Sequence, residues 1–274
     1  MSEAAPVTYL LYQDALTIDT AAVIKALRHF HPELCKDAAV IKSLWGSGSK
    51  PRFSVGGRVV AVDSRPAPLS SERWHAIAAN GCNWSTAVET CSRHRAHISV
   101  TIEGAPRGKL ADARLNAAFA GAVAIAHQNL PLAALWHDGI SVLNAGSTFT
   151  ELAIKASKAS PDIPAVLWVT MLPLTEDKTQ TAIVFTVGLG RFGHLELEFE
   201  APVKHTKLLW EQCQNVIGYL VEHEGERLQN GAMFAIPGVC SYIVGLQAST
   251  RFNGVGVYKA RLDVIESSEE SNTV

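Results

Sequence analysis

Hydrophobic periodicity in this chain switches between two and about 3.6 residues along three successive stretches, and each switch writes a strand, a helix and a further strand. The first stretch has "VTYLLY" (7–12), a helix entered from Asp19, whose carboxylate suits an N-cap, and the strand "RVVAV" (58–62). Val23, Leu27 and Phe30 share a face of that helix, and Pro32 stops it. The second has "HISVTIEG" (97–104), with Ile98, Val100 and Ile102 on one side, a helix over 111–128 and a strand over 133–143. That helix is so rich in Ala and Gly that a neighbour must pack close against it. The third has "HLELEFE" (194–200), a helix from His205 with Leu209, Cys213, Val216, Ile217 and Leu220 in one stripe, and "AMFAI" (232–236).

A short helix near 148–158 and two β-rich runs, 165–172 and 181–189, lie between the second and third stretches, with the turn-forming "PLTEDKT" separating the runs. Strand–helix–strand units mixed with hairpins predict an α+β fold. It would have two lobes of mostly antiparallel sheet, with helices on one face and ferredoxin-like β-α-β units. The boundaries predicted are 1–145 and 146–266, followed by an acidic, disordered tail over 267–274.

Composition narrows the function classes. Hydrophobic residues make up 47 % and charged residues 18 % of 274, so a sizeable core is expected. The net charge is −2 and the Lys and Arg residues are scattered, which gives a nucleic-acid backbone nothing to grip. Five cysteines without a CxxC pair predict buried, reduced thiols and a cytoplasmic protein. The most apolar stretch, 116–135, is broken by His127, Gln128, Asn129 and Pro131, so no membrane span is expected. Glu3 and the lack of an early basic residue argue against a secretion signal.

The stretch "GLGRFG" (188–193) spells Gly-x-Gly-x-x-Gly after the apolar run 182–187. A dinucleotide fingerprint needs a helix directly after its glycines, because free helix amides hold the pyrophosphate. Here Leu195, Leu197 and Phe199 alternate with His194, Glu196, Glu198 and Glu200, which is a strand. The expectation is a glycine-shaped turn with no dinucleotide and no cofactor. The row Glu196, Glu198, Glu200 then reads as a solvated face that guards an edge strand, or as a contact row for a basic protein partner, with Trp136 as a further contact candidate.

"CSRHRAH" (91–97) sets Cys91, His94 and His97 three apart, with Cys82 upstream. These are zinc-type donors, but the spacing matches no zinc finger and the side chains should diverge between a helix and a strand, so no metal is expected. His29, His31 and Cys35 in "HFHPELC" are explained by the negative end of a helix dipole. His137 beside Asp138 could serve as a base, but adjacent strand residues face opposite ways. No nucleophile elbow, phosphate-binding loop or HExxH is present.

Several stretches together resemble a bacterial family designated domain of unknown function 4261. They are "HRAHISVTIEG" (94–104) with Asn80, Trp84 and Ala87 before it, "ALWHDGISVLNAGSTFTELA" (134–153), "LWVTML", "FTVGLGRFGHLELEFE" (185–200), and the helix 205–222 followed by "LQNGAMFAI". The resemblance spans roughly 75–270 and implies a cytosolic bacterial α+β protein. It supplies no catalytic residues, and this chain has Asn230-Gly231-Ala232-Met233 where the family has a more polar turn. The leading expectation is a non-enzymatic protein-binding role, toxin-neutralising (immunity-type) or secretion-associated. The alternative is an enzyme with a site between the lobes around His97, His137 and Glu196.

Overall fold

The computed structural model describes residues 6–41, 50–80, 84–104, 109–127, 129–138, 140–158, 162–236, 240–252 and 254–264. Cys82 and the 267–274 tail lie outside them. The α+β class read from the sequence is the class observed: the chain forms two compact units, Met1–Thr170 and Met171–Val274, each built on one mostly antiparallel sheet.

In the first unit the strands are β1 (Val7–Tyr12), β2 (Ala39–Val40), β3 (Arg52–Val55), β4 (Arg58–Arg65), β5 (Ala96–Glu103), β6 (Ala133–Asp138) and β7 (Ile140–Ala145). Their order is β2-β3-β4-β5-β1-β6-β7. The run expected as one strand over 133–143 is a hairpin, with Trp136 opposite Val142 and His137 opposite Ser141. The helices are α1 (Thr20–Phe30), α2 (His75–Asn80), α3 (Ala87–Ser92), α4 (Lys109–Ala126) and α5 (Gly146–Ala153). Asp19 caps α1 as its sequence position predicts, accepting from the Ala21 and Ala22 amides at 3.0 Å each.

α4 lies on the sheet face that carries Leu10, Ile98, Val100 and Trp136, all buried, and α1 and α5 pack against it. Its small residues permit this crowding: a Cβ on Gly121 would stand 2.6 Å from Ala153 Cβ. Two buried polar residues fix the helix on the sheet. Asp112 pairs with Arg58 of β4 at 2.9 Å, and Asn116 donates to Val100 O at 2.8 Å while accepting from the Thr8 hydroxyl. The opposite face is covered at one end, where Leu11, Ala133, Leu135 and Leu143 pack under Trp74, Ala78, Ala87 and Cys91 from the 71–92 segment. The first sheet therefore has helices on both faces.

The division between the units lies at 170, not at 145, because α5 belongs with α4, β6 and β7. Its first residue must be glycine, since a Cβ on Gly146 would sit 1.7 Å from the Pro131 carbonyl oxygen.

The second unit has β8 (Thr170–Glu176), β9 (Thr181–Val187), β10 (Glu196–Pro202), α6 (Thr206–Glu222), β11 (Met233–Ile236), β12 (Cys240–Ala248), β13 (Gly256–Arg261) and β14 (Asp263–Val264). The sheet order is β11-β12-β13-β10-β9-β8, with β14 on β12. β10 runs parallel to β13 and antiparallel to β9. Leu209, Cys213, Val216, Ile217 and Leu220 of α6 are buried, as their stripe predicts. Cys35, Cys91, Cys213 and Cys240 are buried, and no described helix is long and apolar enough to cross a membrane.

His31, at the end of α1, is buried with its Nδ1 at 3.2 Å from Ser157 Oγ, and desolvation lowers its pKa from 6.5 to about 4. Between those values the unfolded chain binds a proton that the folded protein does not, so stability falls on acidification. We expect denaturant titrations from pH 6.5 to 4 to show this loss at up to about 1.4 kcal/mol per pH unit, and His31→Gln to lack that component. Identical pH slopes for the two proteins would contradict it.

Candidate functional site

The glycine turn holds an anion, and that anion is the protein's own. Gly188 has φ 127°, residues 189–192 form one 3-10 turn, and Gly193 has φ 86°. Through this geometry the amides of Gly188, Leu189 and Gly190 converge on the Glu196 carboxylate at 3.0, 3.3 and 3.3 Å. Thr186 Oγ adds a fourth donor at 2.8 Å and itself accepts from the Leu197 amide. Burial pushes the Glu196 carboxyl above its ordinary pKa, against the pull of these hydrogen bonds. The turn is followed by β10 and not by a helix, as its alternation predicts. The amides of the turn do converge, and Glu196 occupies them.

The other acids of β10 are equally committed. β10 lies between β9 and β13, so it is no edge strand, and Glu198 is fully buried. Its carboxylate meets Arg251 at 2.7 Å, Lys259 at 3.3 Å and the Ser249 hydroxyl. Glu200 meets the same Arg251 at 3.3 Å and Lys259 at 3.7 Å. Burial alone would raise the Glu198 pKa, but these donors bring it below its ordinary value. Ser249 also accepts from the Arg251 and Phe252 amides, and Phe252 stacks on Phe185 at 3.6 Å, so the β12–β13 turn folds over this sheet face. The solvated acidic row is thus an internal ion network. Leu195, assigned to the inward face, is 38 % exposed, while His194, assigned outward, is buried. Both precede the first paired residue of β10, so its alternation does not govern them.

The remaining candidates lie in the first unit. Trp136 is a core residue at 2 % exposure and cannot contact a partner. His94 is buried with both ring nitrogens engaged, Nε2 accepting from the Leu69 amide at 2.8 Å and Nδ1 donating to the Cys91 carbonyl. That removes it from a zinc set, and the described donors Cys91, His94 and His97 do not converge. His97 donates from Nδ1 to Ala67 O at 2.8 Å, and His137 hydrogen-bonds Ser141 Oγ at 2.7 Å.

His97 and His137 do share one sheet face. They stand opposite Leu11 and Val7 of β1, four positions apart, or roughly 14 Å along the strand. Tyr9 lies between them, 6.0 Å from the His97 ring centroid, and its hydroxyl accepts from Arg73 at 2.8 Å. Around this centre the face carries Asp63, bonded to Lys50 and Arg65 at 2.7 Å each, and the Arg52–Glu103 pair at 3.1 Å. Burial works against the Asp63 charge, but the two cations win and lower its pKa. The face is half-open, polar and pre-ordered. Tyr9, Arg73 and Asp63 carry no motif, and their meeting depends on strand register.

Compared with models of known families, with curated proteins and with solved structures, the chain matches none.

Removing the acid from the glycine turn should leave three amides and a hydroxyl without their acceptor. We expect Glu196→Ala to lower the unfolding free energy by roughly 3 kcal/mol. Acetate added to the variant should restore part of this, as a free carboxylate refills the turn. A loss below about 0.5 kcal/mol, within the range of an ordinary surface substitution, would contradict the assignment.

Proposed function

We propose that this is a binding protein that holds a protein partner on the open face of its first sheet, centred on Tyr9, Arg73 and His97. The observation that carries the proposal is the fixed Arg73–Tyr9–His97 cluster on a half-exposed strand face. Tyr and Arg are enriched among the residues that carry interface energy, Tyr through broad, rigid contact and Arg through its planar hydrogen-bonding fork. Among the described residues, Lys50, Arg52 and Arg65 pair there with Asp63 and Glu103, and Arg73 adds a further cation, so the favoured partner presents an acidic patch. This replaces the basic partner expected for Glu196, Glu198 and Glu200, whose charges are met within the second unit. A toxin-neutralising or secretion-associated role in a bacterial cytoplasm is the concrete form suggested by the sequence resemblance.

Tyr9→Ala with Arg73→Glu should weaken a partner captured by the native protein at least tenfold, while Lys207→Glu on the exposed side of α6 leaves it bound. Equal binding by all three proteins would refute the face. One observation favours the enzyme alternative, the 2.7 Å His137–Ser141 hydrogen bond, which sets a base beside a hydroxyl. Labelling of Ser141 by a fluorophosphonate would move the conclusion to that reading.

A further inference from the structure

The segment "CSRHRAH" has a consistent geometry that neither zinc nor the sheet face accounts for. His94 points inward and is locked by the Leu69 amide and the Cys91 carbonyl. Its neighbours Arg93 and Arg95 lie on the surface and line a pocket of about 620 Å³ together with Gln13, Asp14 and Ser92. The two walls are fastened where the pocket begins. The Arg95 amide donates to Tyr12 O at 2.9 Å, and Ala96 pairs with Tyr12, just before Gln13 and Asp14.

Several arginines of the chain are already paired. Arg52, Arg58, Arg65 and Arg251 each spend a guanidinium on a carboxylate. The guanidinium groups of Arg93 and Arg95 make no hydrogen bond or ion pair with the described residues, and neither does the Asp14 carboxylate. The pocket is thus lined by two arginines and an aspartate whose side chains have no partner among the described residues, and a guanidinium fork matches two oxygens of an oxyanion. Its volume falls within the ~300–1,000 Å³ typical of small-molecule sites.

We infer that this pocket is a binding site for a small organic phosphate, with Arg93 and Arg95 on the phosphate and Asp14 accepting from a hydroxyl of the organic part. Asp14 is what separates an organic phosphate from the bare ion, since its charge repels phosphate and is offset only by a hydroxyl donor. The site lies just past Tyr12 of β1 and Ala96 of β5, beside the proposed protein-binding face.

Isothermal titration with glycerol 3-phosphate and with inorganic phosphate tests the assignment. The native protein should bind glycerol 3-phosphate saturably at one site and more tightly than inorganic phosphate, and added salt should weaken both. Arg93→Gln and Arg95→Gln should each weaken binding about tenfold with the thermal midpoint unchanged, because both side chains are exposed and unpaired. Asp14→Asn should abolish the preference for glycerol 3-phosphate, and retention of that preference would remove Asp14 from the site. Absence of saturable binding by either probe, or binding indifferent to both arginine substitutions, would overturn the proposal.

Discussion

A carboxylate inside a sheet must be neutralised where it stands, and Glu198 sets that requirement for the second unit. It is fully buried on a strand paired on both sides, so water cannot solvate it. Loss of a partner from such a group costs about 3–5 kcal/mol, whereas an exposed pair contributes less than ~1 kcal/mol. Arg251 and Ser249 come from the β12–β13 turn and Lys259 from β13, so neutralising one acid also fixes the turn. Phe252 then seals the face by stacking on Phe185.

The glycine turn obeys the same logic on the backbone. Amides that bend toward one point need an acceptor, and Glu196 supplies it from the next strand. The arrangement resembles a phosphate-binding turn whose phosphate has been replaced by a side chain. Both acids therefore serve architecture, and the search for function moves to surfaces where charge is left over. On the first sheet the excess is positive, and in the Arg93–Arg95 pocket it is uncommitted.

The elements governed by local periodicity were legible in the sequence. The Asp19 cap, the stripe of α6 and the inward phase of Ile98, Val100 and Ile102 follow from spacing alone, and all three are observed. Strands β12 and β13 do not show in the sequence, because exposed Ile243 and Leu246 stand where polar residues would complete the alternation with Tyr242 and Val244. The phase of the acids misled for a different reason. Alternation gives which residues share a face, but not whether that face is wet. Ser249, Arg251 and Lys259 lie some fifty residues or more from Glu198 in the chain, and nothing local announces them. The hairpin at 133–145 was signalled by the Asp138-Gly139 pair, a turn sequence inside the run read as one strand.

The central claim is that the acids of β10 are satisfied from within the second unit and offer no charge to a partner. A double-mutant cycle on Glu198→Ala and Arg251→Ala, read by equilibrium unfolding, addresses it most directly. The account predicts a coupling of about 2 kcal/mol or more, with each single variant strongly destabilised. Additive effects within about 0.5 kcal/mol, with both single variants near native stability, would mean that the carboxylate is solvated and the ion network does not organise this sheet.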